Sequence, residues 1–232
     1  MPVRLITFDL DDTLWSVAPV LQAAEAGLQA WLACHAPRLA EAGVQLTAIR
    51  ARLLAEQPSL QGRISELRRQ TLRLGLLAAG YPPGEAARLG AAAFEHFLAA
   101  RQRVALFPEA RPLLERLRHD YSLGVLTNGN ADVTRIGIAG YFRFALNAED
   151  FGVAKPDPRI FHAALEHAGV SAAEALHVGD HPRDDIAGAL DAGLRAVWLN
   201  PQRQPWPGGS APDGDIASLA ELPALLERWR SR

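Results

Sequence analysis

The feature that most constrains this chain is the set of polar residues at the ends of its short apolar runs. Val3 to Phe8, VRLITF, has the pattern of a buried strand and stops at once in Asp9-Leu10-Asp11-Asp12-Thr13. Ser122 to Leu126, SLGVL, runs into Thr127-Asn128-Gly129-Asn130, and Ala175 to Val178, ALHV, runs into Gly179-Asp180-His181-Pro182-Arg183-Asp184-Asp185. Arg195 to Leu199 is a fourth run, and Phe144 to Leu146 a weaker one. Helical patterns fill the intervals at Glu109 to Arg118, Ala131 to Ala139, Pro158 to Ala168 and Asp185 to Ala192, and a closing helix is expected at Leu219 to Trp229. Strands that alternate with helices require right-handed crossovers, so the expected fold is an α/β core: a Rossmann-like, mostly parallel sheet covered on both faces.

Residues 16–103 break that rhythm. They read as four or five amphipathic helices separated by Pro37, Pro58 and the Tyr81-Pro82-Pro83-Gly84 turn. The expected organisation is therefore a catalytic core of residues 1–15 and 104–232 with an inserted all-helical cap of residues 16–103. The stretch Asn200 to Asp215 is expected to be a surface loop.

Composition narrows the partners. A formal charge of -2 supplies no basic footprint for a nucleic acid or an anionic membrane surface. The apolar stretches are broken by Arg, Glu or Gln before a membrane-spanning length, and the start reaches acids too early for a signal peptide. With Cys34 as the single cysteine, no internal disulfide can form; a cytoplasmic location and a small buried residue on a helix are expected. Of the 24 basic residues, all but Lys155 are Arg. A compact ammonium on a thin stem reaches a crowded anionic centre where a guanidinium does not fit, so this lone Lys invites a chemical role.

In an open parallel sheet, ligands bind beyond the carboxyl ends of the strands, at the switch in strand order. The residues delivered there are acids, a hydroxyl and one cation. Several carboxylates gathered in one desolvated place repel each other unless a cation joins them. Oxygen donors alone, with no Cys/His zinc spacing, favour Mg²⁺. A phosphoryl group held there needs a nucleophile, neutralisation of its peripheral oxygens and a proton for the departing alcohol. Asp9 supplies the nucleophile, Asp11 the acid, and Thr127 and Lys155 the phosphoryl pocket.

These residues resemble the four motifs of the haloacid dehalogenase superfamily, in the family's order: Asp9-x-Asp11-x-Thr13, then Thr127, then Lys155, then Gly179-Asp180 with Asp185. The resemblance implies a magnesium-dependent phosphatase acting on a small phosphorylated metabolite. Asp9 attacks phosphorus and touches the metal; Asp11 protonates the leaving oxygen, then activates water, with its carbonyl on the metal. Asp180 and Asp185 complete the metal ligands, with Asp184 the alternative to Asp185 because family loops vary by one residue here. Asn128 and Thr13 are the implied substrate-binding residues. The phrases FDLDDTLW, LTNGN and LHVGD are also similar to bacterial phosphatases of flavin mononucleotide and of a riboflavin precursor, which makes a flavin-pathway, nucleotide or sugar phosphate the expected substrate class.

The alternatives are a 2-haloacid dehalogenase and a non-catalytic protein that has kept the fold. The former usually lacks a carboxylate at the position of Asp11, and the latter is expected to have lost a motif residue. A phosphonoacetaldehyde hydrolase needs a cap lysine, which this chain lacks. His177 is read as a core histidine, His181 as a loop residue at or near the site, and Arg63, Arg68 and Arg69 as a solvated helix face rather than a substrate contact.

Overall fold

The computed structural model describes residues 2–230. The outer ends of the expected core, residue 1 and residues 231–232, lie outside the described residues. The chain divides into two compact units: the described residues of Met1–Ser16 with Ala105–Arg232, and Val17–Val104.

Strand β1 (Leu5–Phe8) opens the first unit. The second unit holds α1 (Val17–His35), α2 (Arg38–Glu41), α3 (Leu46–Glu56), α4 (Ile64–Ala78) and α5 (Pro83–Arg101). The first unit then resumes with α6 (Ala110–Leu117), β2 (Ser122–Thr127), α7 (Val133–Ile136), β3 (Phe144–Asn147), α8 (Ala148–Phe151) and α9 (Pro158–Ala168). It ends with β4 (Ala175–Gly179), α10 (Gly188–Asp191), β5 (Arg195–Leu199), β6 (Gly214–Ile216) and α11 (Leu222–Arg230).

All strand pairs are parallel, in the order β3-β2-β1-β4-β5-β6. The chain builds outward from β1 to β2 and β3, then returns to the other side of β1 for β4. That reversal puts the switch point at the carboxyl ends of β1, β2 and β4. Every residue of β1 is buried, as a strand covered on both faces must be. Helix α9 starts at an Asp157 cap with Pro158 in its first turn and stops at Gly169, whose φ of 68° suits only a residue without a Cβ strain penalty. Its Ile160 and Phe161 pack on Leu5, Leu126 and Ile186, and the Phe161 ring meets the His177 ring edge-on at 5.4 Å.

The second unit is helical throughout and has its own core. Ala24, Leu28 and Leu32 of α1 recur at i, i+4, as do Leu72 and Leu76 of α4 and Leu89, Ala93 and Phe97 of α5, and these stripes pack together. The Arg68 guanidinium lies 3.6 Å over the Phe97 ring and pairs with Glu25 at 2.6 Å, while Arg69 covers Phe94. Arg68 is thus half-buried against α5, whereas Arg69 lies over Phe94 yet stays exposed, as does Arg63, in line with the solvated face expected there.

Other elements depart from expectation for local reasons. The helix expected over Ala131 to Ala139 is one turn, started by the Asp132 cap and ended by Gly137 in the left-handed region. Residues 200–215 are not loop throughout: Asp213 and Ala196 exchange hydrogen bonds, and Gly214–Ile216 adds an edge strand. Gly-Asp-Ile has little strand propensity, and pairing with β5 overrides it. Cys34 is exposed, because it lies off the buried Leu28 and Leu32 stripe of α1. No helix among the described residues is long and apolar enough to cross a membrane.

Phe161 is fully buried at the contact between α9 and the sheet. Phe161→Ala is expected to destabilise the first unit by about 3–5 kcal/mol, measured by urea denaturation.

Candidate active site

The tight turn after β1 delivers two acids to the switch point. The Leu10 carbonyl accepts from the amides of Thr13 and Leu14, and Asp12 sits at φ 57°, a conformation that Asp tolerates better than most residues. Asp9 is buried, and its amide donates to the Val178 carbonyl of β4. Asp11 stands two residues on, its Oδ1 accepting from the Trp15 indole at 2.9 Å. Thr127 ends β2, buried, its Oγ1 accepting from the Gly129 amide.

Lys155 is the hub. Its Nζ donates to Asp9 Oδ1 at 2.7 Å, to Asp185 Oδ1 at 2.5 Å and to the Leu126 carbonyl at 2.7 Å, which uses all three ammonium hydrogens. Burial alone opposes its charge; Asp185 and Asp9 override that and hold its pKa above the ordinary lysine value. The Lys155 backbone is clamped by Asn128, whose carboxamide donates to the Lys155 carbonyl at 2.9 Å and accepts from the Lys155 amide at 2.8 Å. Asn128, implied as a substrate contact, thus has its carboxamide turned onto the chain that carries Lys155. Thr13, the other implied substrate contact, is fully buried with its Oγ1 3.4 Å from Asp180 Oδ1.

The spacing between Asp180 and the last acid is accommodated by a π-turn over Pro182–Ala187, the wide turn that an extra residue produces. It swings Asp185 inward, to 2% exposure, and leaves Asp184 partly exposed beside His181. His181 caps the turn: its Nδ1 accepts from the Asp184 amide, and its own amide donates to Asp185 Oδ2. Gly179 makes room for this, since a Cβ there would occupy the space of the Asp185 carboxyl.

His177 was legible as a core residue but not as a partner of the site. It is fully buried, and burial lowers its pKa, so the ring is neutral. Thr7 Oγ1 lies 2.9 Å from Nδ1, and Nε2 lies 3.1 Å from Asp185 Oδ1. An ionised Asp185 only accepts, so Nε2 carries the hydrogen and Nδ1 accepts from Thr7. The available signal was its place two residues before Gly179 in a parallel strand: side chains there alternate faces, and Asp185 folds back over the same end.

The oxygens of Asp9, Asp180 and Asp185 lie within 4.8 Å of one another. Three carboxylates face one ammonium, and their titration shows the excess. Desolvation pushes Asp9 well above the ordinary carboxylate range against the pull of Lys155. Desolvation acts on Asp185 too, but Lys155 and His177 outweigh it and keep its pKa low. The two differ because Asp185 also receives His177 and the His181 amide. Asp180 is pushed up to about 7 by burial and by the charges of Asp185 and Asp12. Hard oxygen donors with unneutralised negative charge fit a divalent cation of the magnesium type.

This sheet, with its acids at the switch point and a buried lysine between them, defines the class. The haloacid dehalogenase-like hydrolase model matches residues 3–193, and the chain belongs to that family. Over its full fold the chain is similar to the crystal structure of a 2-haloacid dehalogenase from Pseudomonas syringae pv. Tomato DC3000: 53% identity, TM-score 0.94, covering 98% of this chain and 99% of that one. The 5-amino-6-(5-phospho-D-ribitylamino)uracil phosphatase YigB of Escherichia coli (strain K12) is 30% identical, over 97% of this chain and 96% of its own. A phosphoserine phosphatase of Thermus thermophilus is 34% identical, over 95% and 98%.

Two outcomes are expected. Gly179→Ala displaces Asp185 from Lys155 and should weaken magnesium binding by about tenfold or more, read by calorimetric titration. In metal-free protein the raised Asp180 means that the folded state binds more protons than the unfolded state between the ordinary value of 3.8 and about 7. Stability from this group therefore falls as pH rises through that window, and magnesium should restore it increasingly toward pH 8. Thermal midpoints with and without the ion, from pH 5 to pH 8, check this.

Proposed function

We propose that this protein hydrolyses a small phosphate monoester with magnesium as cofactor. The observation that carries the reading is the carboxylate of Asp11, held two residues from the buried Asp9. An ester oxygen needs a proton to depart, whereas halide does not, so an acid beside the nucleophile serves phosphoryl transfer.

In the first step Asp9 forms a bond to phosphorus while the bond from phosphorus to the ester oxygen breaks, and the Asp11 proton moves to that oxygen. In the second, Asp11 takes a proton from water as the water oxygen bonds to phosphorus and the Asp9 bond breaks. Lys155 orients Asp9 and neutralises phosphoryl charge, and Thr127 offers its hydroxyl. Asp9, Asp180, Asp185 and the Asp11 carbonyl would hold the magnesium, which supplies charge neutralisation for the phosphoryl dianion. The helical unit acts as the cap that selects among flavin-pathway, nucleotide and sugar phosphates.

A second reading, a 2-haloacid dehalogenase, is favoured by the 53% identity to a protein so described. The two separate on one preparation. The phosphatase reading expects phosphate release from nitrophenyl phosphate that EDTA abolishes and Mg²⁺ restores, with none left in Asp9→Asn. It expects Asp11→Asn to lose about 10² to 10⁴ in rate on an alkyl phosphate and to accumulate a phosphorylated Asp9 after acid quench. Chloride release from 2-chloropropionate, undiminished by EDTA, would decide for the dehalogenase.

A further inference from the structure

Trp15 closes the FDLDDTLW stretch and takes no part in the steps of either half-reaction, yet it is built into the turn that carries that chemistry. Its side chain is fully buried. Its backbone bridges to Asp11 on one side and to Leu106 on the other, and the neighbouring Leu14 carbonyl accepts from the Phe107 amide. An indole fixed in this way has no freedom to turn its N–H elsewhere. That N–H ends 2.9 Å from Oδ1 of Asp11.

We propose that Trp15 is the positioning residue for the acid and base of the reaction, and that it selects which Asp11 oxygen handles the proton. The inference rests on the phosphatase reading of the same site. An indole nitrogen can only donate, and the carbonyl oxygen of a protonated carboxyl is a better acceptor than its hydroxyl oxygen, so the contact favours the proton on the oxygen it does not touch. The proton given to the ester oxygen, and later taken from water, therefore resides on Oδ2. Fixing Oδ1 also fixes the rotation of the carboxyl group, and with it the direction in which Oδ2 points. Proton transfer demands a heavy-atom approach within hydrogen-bond reach, so an Asp11 carboxyl without this contact is aligned for transfer less of the time.

Two substitutions separate the donor from the bulk. Trp15→Phe keeps a large ring and loses the N–H; Trp15→His loses bulk but can place Nε2–H where the indole nitrogen stood. The measurement is kcat/KM, which reports the first half-reaction alone, for an alkyl phosphate, which needs the proton, against nitrophenyl phosphate, which needs it little, with thermal midpoints recorded alongside. Trp15→Phe is expected to lose about tenfold or more on the alkyl ester and much less on the nitrophenyl ester. Trp15→His, though less stable, is expected to keep the wild-type ratio between the two. In an Asp11→Asn background, Trp15→Phe should change kcat/KM on the alkyl ester by less than about twofold, because the coupled pair is already broken. Equal losses on both esters, or losses that follow the thermal midpoint in both variants, overturn the assignment while leaving the phosphatase reading intact. No phosphate release by the wild-type protein overturns both.

Discussion

The buried ammonium of Lys155 is the interaction on which the site depends. Its three hydrogens reach three chain segments that are far apart in sequence: Asp9 after β1, Leu126 within β2 and Asp185 after β4. Two buried carboxylates that approach one another are tolerated only because this cation lies between them. Removing it would leave both uncompensated in a desolvated pocket. An arginine could supply the charge but not the shape, since a planar fork cannot place three donors around one nitrogen.

Around that hub the fold uses small residues and backbone amides to keep the carboxylates in place. Gly179 clears the space for Asp185, the His181 amide holds its second oxygen, and the neutral His177 holds its first without adding charge. Asn128 clamps the backbone of Lys155 in both directions. The result is an acidic cluster in which Asp185 is fully compensated while Asp9 and Asp180 are not. That imbalance suits the site to a divalent cation, with which protons on Asp9 and Asp180 would compete.

The relatives divide on chemistry while agreeing on fold. A shared parallel sheet with acids at the switch point is compatible with attack by an aspartate on either carbon or phosphorus. What separates the two is local: whether an acid stands ready for the leaving group. On the phosphatase reading proposed above, Asp11, whose Oδ1 accepts from the Trp15 indole of the same turn, meets that need in this chain.

The sequence by itself determined the alternation of strands and helices and the identity of the residues at each strand end. Both are local properties: apolar runs of strand length make buried parallel strands, and acids that directly succeed them can only lie at the sheet's edge. The place of Asp9, Thr127 and Asp180 near one switch point was legible for that reason, and Lys155 was legible as the lone lysine among the basic residues. Only the tertiary structure shows that Asp185 and not Asp184 points inward, because a π-turn, not the residue count, sets which side chain is buried. It alone revealed the hydrogen bond of His177 to Asp185 and the turning of Asn128 onto Lys155, which join segments with no periodic relation in the chain. Edge strand β6 and the packing of Arg68 on Phe97 were likewise invisible, since each is fixed by its neighbour across the fold and not by its own sequence preference.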